Sequence, residues 1–538
     1  MPARVPSALR SLTHWALASG ATLLVVSGCG LGRGGAVADE GARQGDPLDS
    51  PVLPTHLAVP APPAVTASAP RLWVALGARL GGSQPLVLQA ASGSLTLITA
   101  SGQQHQGREL VLRWSPEPLD PPLRFSRRVL GPFASYESAE EAARRWQQQG
   151  VRTVIAHPAD WEVWAAATAP PPAGELPQPA ARLVELELRQ RLRPELQLAS
   201  GSVPLQGPLQ LQAPGGLRWR GGVFSGPFRL QPDAYGSWTL VEQVPLERYL
   251  LGVVPHEIGA GSPPAALAAQ AVLARTWALR NQERYSVDGY HLCSDTQCQV
   301  YGDPGHAGSA VRQAVAATRL QLLSWQGKPI HAVYHATNGG VAAGFEEVWS
   351  GAPLPYLQPR LDGVAALQQR FLIPLAPGQV GSLLATRTGL YGASHPRFRW
   401  SRSLDAAQIA AAVRPLAPNL GTPTRLAVLE RGPSGRVLAL QIQGTGDGPG
   451  NSVVLRRDAI RRHLRSLPST LFLVSPEGTG RWRFQGGGFG HGAGLSQAGA
   501  IELADQGWSA ARILAHYYPG TGLVNLDQLS PGPAESAP

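Results

Sequence analysis

The sequence predicts an α+β protein whose main domain combines mixed sheets with packed helices. Apolar and polar residues alternate with period two across 181–248, and Gly and Pro separate the runs, as is typical of strands. The stretch 265–282 contains no proline and has the three-and-four spacing of a buried helix. With 538 residues, 43% hydrophobic and 15% charged, the chain is long enough for two or three globular domains.

The charge balance is basic, with 46 Lys and Arg against 36 Asp and Glu and a formal net charge of +10. Such a charge indicates an anionic partner, either nucleic acid, a membrane surface or an acidic polymer. The basic residues are scattered and form neither an arginine-rich helix nor a recognisable nucleic-acid motif. We therefore expect no nucleic-acid partner.

Residues 1–28 have the features of a secretion signal, with two arginines before an apolar segment at 15–26 that is short for a membrane span. The signal ends in Val-Ser-Gly-Cys, which resembles the lipobox of bacterial lipoproteins and would make Cys29 a lipidated first residue. Cleavage after residue 38 is the alternative, but Cys29 directly follows the apolar core and is favoured. We expect an exported protein of the bacterial cell envelope, in the periplasm and anchored to a membrane by lipid.

Three segments have the composition of a tether, a linker and a tail rather than of folded units. Residues 29–70 are rich in Pro and Ala and predict a semi-rigid tether. A Pro-rich linker at 169–180 precedes the main domain at 181–528, and the Pro, Ser and Ala tail at 529–538 predicts disorder.

Between tether and linker, residues 71–168 predict a small α/β accessory domain. Strands are expected at 71–76 and 94–98, and a helix at 137–148. The strand-helix-strand part at 129–155 resembles the glycan-binding sporulation-related (SPOR-like) repeat. An ordinary accessory unit has the same pattern, and both interpretations stay open.

The main domain centres on a helix and on Glu257, which precedes it. Ser262 as N-cap and Pro263 as first helical residue predict the start, and the helix should run to about Gln282. Its predicted buried face comprises Leu267, Ala271, Ala274 and Ala278. Glu257 follows an apolar run at 249–254. Burial raises the pKa of such a carboxyl group and the dipole of the helix start lowers it, so burial must dominate for a general acid near neutral pH.

Five segments carry a resemblance to a known family. They read YLLGVVPHEI at 249–258, AALAAQAVLART at 265–276, CQVY at 298–301, YHATNGG at 334–340 and GFGHGAGLSQAGA at 488–500. In content and order they resemble the stage II sporulation protein D (SpoIID) family, which includes amidase-enhancer proteins, across roughly 185–525. The chain departs from the family pattern at His256, Ile258, Ala265 and Ala268, and none of these changes removes Glu257.

The resemblance implies a lytic transglycosylase that cleaves peptidoglycan glycan strands stripped of their peptide stems. Ordinary glycosidases use two carboxyl groups, one as acid and one as nucleophile or base. In a lytic transglycosylase the 6-hydroxyl of the sugar attacks its own anomeric carbon and gives a 1,6-anhydromuramic acid end. Glu257 alone can then serve as both acid and base.

The resemblance also implies which residues contact the substrate. They are Gln270, Arg275, Thr337, Gly339, Gly340, His491 and Gln497. Arg275 is expected to pair with the lactyl carboxylate of stripped muramic acid. Its alternative role is that of a buried helix arginine bound to backbone carbonyls.

Cys293 and Cys298 are a close-spaced pair in a protein expected to be exported. They predict a disulfide. A structural zinc ion held with His291, as in some relatives, and free thiols are the alternatives. No cofactor is expected to be required.

Two other functions compete with the enzyme. The protein could be a non-catalytic enhancer that docks on glycan or on an N-acetylmuramoyl-L-alanine amidase. A metal-dependent hydrolase is less favoured, because no second acidic or histidine cluster accompanies the cysteines. The α+β region at 341–470, with a helix expected at 404–413, has no predicted function.

Overall fold

The computed structural model describes residues 53–172 and 181–529. The predicted signal peptide, the lipidation site Cys29 and residues 530–538 lie outside the described part of the chain. Of the predicted tether, residues 53–70 are described, and they contact the folded body. The Val65 N–H donates to Gln282 Oε1 at 2.9 Å, and the imidazole of His291 donates to the Pro63 carbonyl at 3.0 Å. Over this part the chain is packed rather than a free spacer.

The described residues form an α+β fold with several sheets, as predicted. The first sheet has seven strands in the order Leu292–Cys293, Arg71–Leu80, Trp238–Pro245, Phe228–Pro232, Leu209–Gln212, Leu95–Ile98 and Gln104–Gly107. Val74 lies opposite Glu242 in an antiparallel pair and opposite Leu292 in a parallel pair. One edge of this sheet therefore leads directly into the loop that follows Cys293.

The second sheet joins the segments on both sides of the predicted linker. Its strands run in the order Gly222–Phe224, Leu217–Trp219, Leu86–Ala90, Glu109–Phe133, Trp161–Ala166 and Val154–Ala156. The long strand Glu109–Phe133 also pairs with Arg182–Leu198, which in turn pairs with Gly201–Pro204. Residues 71–168, predicted as an accessory domain, thus share both large sheets with residues 182–245 and have no sheet of their own.

A central helix, Pro264–Arg280, organises the remaining core. It packs against the helices Leu246–Val254, Ser309–Ala317, Gln497–Asp505 and Ala510–Tyr517. The helix is buried on all sides. A helix surrounded by others is apolar around its circumference, which explains its many alanines.

The ends of the central helix differ from the prediction. Pro263 has extended backbone angles and precedes the helix, and the Ser262 hydroxyl donates back to the Ile258 carbonyl at 2.7 Å rather than capping the helix. The helix ends at Arg280, two residues before the predicted end.

The C-terminal half is built from small sheets and short helices. Its strand pairings are Gln321–Trp325 with Lys328–Pro329 and with Gly522–Asn525; Tyr334–His335 with Leu495–Ser496; Val341–Ala342 with Arg360–Leu361; Arg481–Gly487 with Arg399–Asp405 and with Phe472–Pro476; and Val437–Gly444 with Pro423–Arg431 and with Ser452–Arg456. Its further helices are Phe345–Val348, Ala365–Arg370, Gln379–Ala385, Ala406–Val413 and Asp458–His463, and Tyr136–Gln147 belongs to the N-terminal half. The helix expected at 404–413 is present, with Asp405 as its N-cap. Within the described residues, no helix has the length and apolar character needed to cross a bilayer.

Candidate functional site

Glu257 lies on an irregular helical turn beside the central helix. The helix Leu246–Val254 continues into a π-type turn, Pro255–Gly259. Such turns often mark functional sites. The Glu257 side chain is half-buried, and its Oε1 accepts a hydrogen bond from the backbone N–H of Val300 at 2.9 Å.

Burial raises the pKa of the Glu257 carboxyl group to about 7, and the hydrogen bond from Val300 opposes this rise. No charged group among the described residues adds to the shift. Burial therefore outweighs every influence that favours the ionised form. Near neutral pH both the acid and the carboxylate are populated, which suits a group that must give a proton and take one back.

A chain of buried polar groups lies next to Glu257. The Tyr249 hydroxyl donates to Gln299 Oε1 at 3.1 Å, and Gln299 Nε2 donates to the Tyr334 hydroxyl at 2.8 Å. Burial, followed by the nearby charge of Glu257, raises the pKa of both tyrosines well above the usual value. Both hydroxyls therefore stay protonated, and the chain fixes the position of Gln299 and of its neighbour Val300.

His491 is held by two backbone groups. The Ala493 N–H donates to Nδ1 at 3.2 Å, and Nε2 donates to the Tyr334 carbonyl at 2.8 Å. Burial lowers the pKa of His491 to about 3, so the ring is neutral. Its ring also lies against Trp349, with centroids 5.0 Å apart. Backbone groups thus occupy both ring nitrogens, and the substrate contact predicted for His491 stays a prediction. His491 ties the loop at 488–494 to the strand at 334–335.

The turn at 337–340 contacts the same loop, 488–494. Thr337 is fully buried and exchanges backbone hydrogen bonds with Phe489 at 2.8 and 3.2 Å. Gly339 and Gly340 have φ of +73° and +94°. A Cβ on Gly339 would lie 2.7 Å from the backbone of Gly487, and one on Gly340 would lie 2.6 Å from Leu390. Gly339 allows backbone to approach backbone, and Gly340 makes room for the Leu390 side chain, whereas the sequence suggested that they admit a ligand.

Arg275 is a structural residue. Its side chain is fully buried, and its Nε and Nη2 donate to the two carboxylate oxygens of Glu247 at 2.8 and 2.6 Å. Nη1 donates to the Gln321 carbonyl at 2.9 Å. The predicted contact with a lactyl carboxylate is therefore wrong. The alternative, a buried helix arginine bound to carbonyls, is correct, and Glu247 is a partner that it did not include.

Gln270 and Gln497 face each other inside the protein. Gln497 Nε2 donates to Gln270 Oε1 at 3.3 Å, and both side chains are buried. The Gln270 amide N–H groups have no hydrogen-bond partner among the described residues. This pair joins the central helix to the helix Gln497–Asp505.

Cys293 and Cys298 form a disulfide with a Cα to Cα distance of 5.7 Å, as predicted. His291 cannot complete a zinc site with them in this arrangement. Its Nδ1 accepts from the Trp73 N–H at 2.8 Å and its Nε2 donates to the Pro63 carbonyl. Among the described residues, no group of three His, Cys, Asp or Glu side chains is placed to hold a metal ion. The residues do not fit zinc. The disulfide closes a loop, 293–298, whose next two residues are Gln299 and Val300.

Sequence reasoning did not place several of these residues in the site. Gln299, Tyr249 and Tyr334 stand in the quoted segments, but only their hydrogen bonds reveal that they form one chain beside Glu257. Trp349, which packs on His491, lies outside those segments. No sequence signal indicated it.

Comparison with known proteins identifies the family. The chain is 30% identical over 309 residues to stage II sporulation protein D of Bacillus amyloliquefaciens, covering 53% of this chain and 76% of that protein. The chain belongs to the stage II sporulation protein D family. A family model described as Stage II sporulation protein matches residues 234–325. The sequence-based resemblance is confirmed.

Two further relatives support the assignment to the stage II sporulation protein D family. Stage II sporulation protein D of Bacillus subtilis is 26% identical over 314 residues, which is 53% of this chain and 76% of that protein. The protein named amidase enhancer from Bacillus subtilis is 28% identical over 300 residues, which is 51% of this chain and 40% of that protein.

A second model, described as a domain of unknown function, matches residues 343–494. In this member of the stage II sporulation protein D family, Glu257 and Val300 thus lie in one matched region, and Trp349 and His491 lie in the other. Tyr334, which lies between the two matched regions, links them, because its hydroxyl accepts from Gln299 and its carbonyl accepts from His491.

Proposed function

We propose that this protein is a lytic transglycosylase that cleaves peptide-stripped peptidoglycan glycan, with Glu257 as its single general acid and base. The supporting observation is the half-buried Glu257 carboxyl group, whose pKa burial raises to about 7. No charged group among the described residues contributes to this rise, so burial accounts for it.

The reaction requires two proton transfers at one carboxyl group. Protonated Glu257 donates to the glycosidic oxygen as the bond from the anomeric carbon to that oxygen breaks. The resulting carboxylate accepts the proton of the muramic 6-hydroxyl as its oxygen bonds to the anomeric carbon. One strand ends in 1,6-anhydromuramic acid, the other regains a hydroxyl group, and Glu257 is protonated again.

The surrounding residues position this group. Val300 holds one carboxylate oxygen, and the chain of Tyr249, Gln299 and Tyr334 holds Val300 through its neighbour. The second oxygen of Glu257 carries no hydrogen bond from the described residues and is the one we assign to the glycosidic oxygen.

Purified protein incubated with peptide-free glycan strands tests the proposal by mass spectrometry of the products. We expect new 1,6-anhydromuramic acid ends that are lost in Glu257→Gln, and that persist in Glu430→Gln, a matched change of an exposed glutamate. Intact glycan with wild-type protein contradicts the proposal.

The second candidate function is a non-catalytic amidase enhancer, favoured by the similarity to the Bacillus subtilis protein of that name. It predicts binding to glycan or to an N-acetylmuramoyl-L-alanine amidase, with higher amidase activity in the presence of either wild-type or Glu257→Gln protein. In both cases we propose that the protein is exported and held at a membrane through a lipid on Cys29. Labelling with a fatty acid, lost in Cys29→Ala, tests this location.

A further inference from the structure

Five arginines from two separated segments converge on one pocket of about 500 Å³. They are Arg397, Arg402, Arg461, Arg462 and Arg465. No carboxylate lines the pocket within the described part of the chain. Arg462 pairs with Asp160, which is the one ion pair that the described residues form with any of the five. The pocket therefore carries a large excess of positive charge.

The guanidinium groups make few hydrogen bonds to the described residues. Arg402 Nη1 donates to the Ser401 carbonyl at 2.8 Å, and Arg465 Nε donates to the Arg462 carbonyl at 3.3 Å. The Arg397 guanidinium group lies over the ring of Phe489, 4.1 Å from its centroid, and pairs with no carboxylate among the described residues. The Nε of Arg461 is buried without a hydrogen-bond partner among the described residues. Burial lowers the pKa of Arg461, against the opposing charge of Asp458, as expected for a cation whose charge is poorly balanced.

The short helix Asp458–His463 explains part of the cluster, because cations at a helix C-terminus are stabilised by its dipole. That account covers Arg461 and Arg462. It does not explain Arg397 and Arg402, which come from the segment before and within the strand Arg399–Asp405. Convergence of unrelated segments on a cavity points to a ligand.

The pocket borders the candidate site. Thr296, in the disulfide loop, lines it and stands four residues before Val300, so that their Cα atoms are at most about 14 Å apart. Phe489 lines it on another side and stands two residues before His491. The carbonyl of the lining residue Pro468 accepts from the Gly490 N–H at 3.1 Å, which joins the pocket wall to the same loop.

We propose that this arginine pocket is a carboxylate-binding subsite that holds a lactyl carboxylate of the glycan strand near Glu257. The inference rests on the proposed function and gives a role to the region at 343–494. A stripped strand bears one such carboxylate on every muramic sugar, and guanidinium groups bind carboxylates through paired, charge-assisted hydrogen bonds. The role that the sequence assigned to Arg275 belongs to these arginines.

Calorimetric titration of the full chain carrying Glu257→Gln tests the subsite without turnover. The ligands are a peptide-free muramic oligosaccharide and a chitin oligosaccharide of equal length, which has no lactyl carboxylate. We expect the acidic ligand to bind at least about tenfold more tightly at low salt, with the preference falling as salt rises.

Adding Arg402→Gln and Arg465→Gln should reduce the preference to within about twofold. Both side chains are exposed, so the fold should survive, which thermal unfolding checks. Arg425→Gln, at an exposed position of the same region, is the matched control and should leave the preference unchanged. Equal binding of the two ligands, or a preference insensitive to the double change, overturns the subsite.

A glycerol-phosphate oligomer that binds more tightly than the muramic ligand contradicts the carboxylate assignment in favour of a phosphate polymer. The outcome is separable from that of the proposed function. If wild-type protein forms no anhydro ends but the preference depends on the arginines, the enzymatic proposal fails alone. If anhydro ends form but the protein binds the muramic and chitin oligosaccharides equally, only the subsite proposal fails.

Discussion

The backbone N–H of Val300 donates to Glu257 Oε1 at 2.9 Å, and Val300 follows directly on the loop closed by the Cys293–Cys298 disulfide. The candidate acid is thus held by a neutral donor instead of a cation. A cation would keep the carboxyl group ionised, whereas this arrangement lets burial raise its pKa to about 7. The protonation state of Glu257 is therefore sensitive to conditions near neutral pH.

The first prediction concerns the pH dependence of cleavage. Because the glycosidic oxygen must receive a proton from Glu257, the rate should fall as pH rises through about 7. At pH 8 about one tenth of the acid form remains. Initial rates of anhydro-end formation between pH 5 and 9 provide the measurement. A rate that increases steadily above pH 8 contradicts an acid with this pKa.

The second prediction concerns stability. The folded-state pKa of Glu257 exceeds the unfolded value of 4.5, so the native state binds more protons between pH 4.5 and 7 and stability falls across that window. Glu257→Gln removes this penalty and should stabilise the protein by about 1–3 kcal/mol at pH 8, with little effect near pH 4.5.

Urea unfolding at the two pH values measures the difference. Glu430→Gln, at a half-exposed ion pair, is the control and should change stability by less than about 0.5 kcal/mol. Equal stability of Glu257→Gln and wild type at pH 8 would show that burial of the ionised carboxyl group does not lower the free energy of unfolding.

The third prediction concerns the disulfide. Replacing Cys293 and Cys298 with serine opens a short loop and should lower the free energy of unfolding by about 2 kcal/mol. Cleavage should also slow, because Val300 loses its fixed position beside Glu257. A chelator should leave wild-type activity unchanged, since the ring nitrogens of His291 are bound to backbone groups. Activity that requires added zinc would show that the reduced pair is a metal site.

The fourth prediction separates structure from recognition at Arg275. Arg275→Gln leaves Glu247 without its bidentate partner and should destabilise the fold by about 3–5 kcal/mol. Arg319→Gln, at an exposed position, should have an effect of less than about 0.5 kcal/mol. Urea unfolding and the KM for glycan are measured together. A raised KM in Arg275→Gln with unchanged stability would show that Arg275 binds substrate and does not stabilise the fold.

The sequence predicted best those features that depend on a local pattern of residues. The α+β class, the central helix, the family and the cysteine pairing could all be predicted, because each depends on periodicity, motif order or short spacing. The π-type turn under Glu257 could not, since Pro255 and Gly259 resemble an ordinary break before the next helix.

Long-range partners could not be predicted either. Glu247 lies 28 residues from Arg275, and Tyr334 lies 157 residues from His491. A motif arginine or histidine looks the same in sequence whether it faces a sugar or a buried carbonyl. The arginine pocket was hidden for a similar reason, because cations that are scattered along 397–465 meet only in the fold.

The most direct measurement of the central claim is cleavage of peptide-free glycan in water enriched in oxygen-18. If Glu257 shuttles a proton while the sugar's own hydroxyl attacks, the new ends are 1,6-anhydromuramic acid, and mass spectrometry finds no label in them. Reducing ends that carry oxygen-18 would show that water is the nucleophile, which contradicts a mechanism with a single carboxyl group.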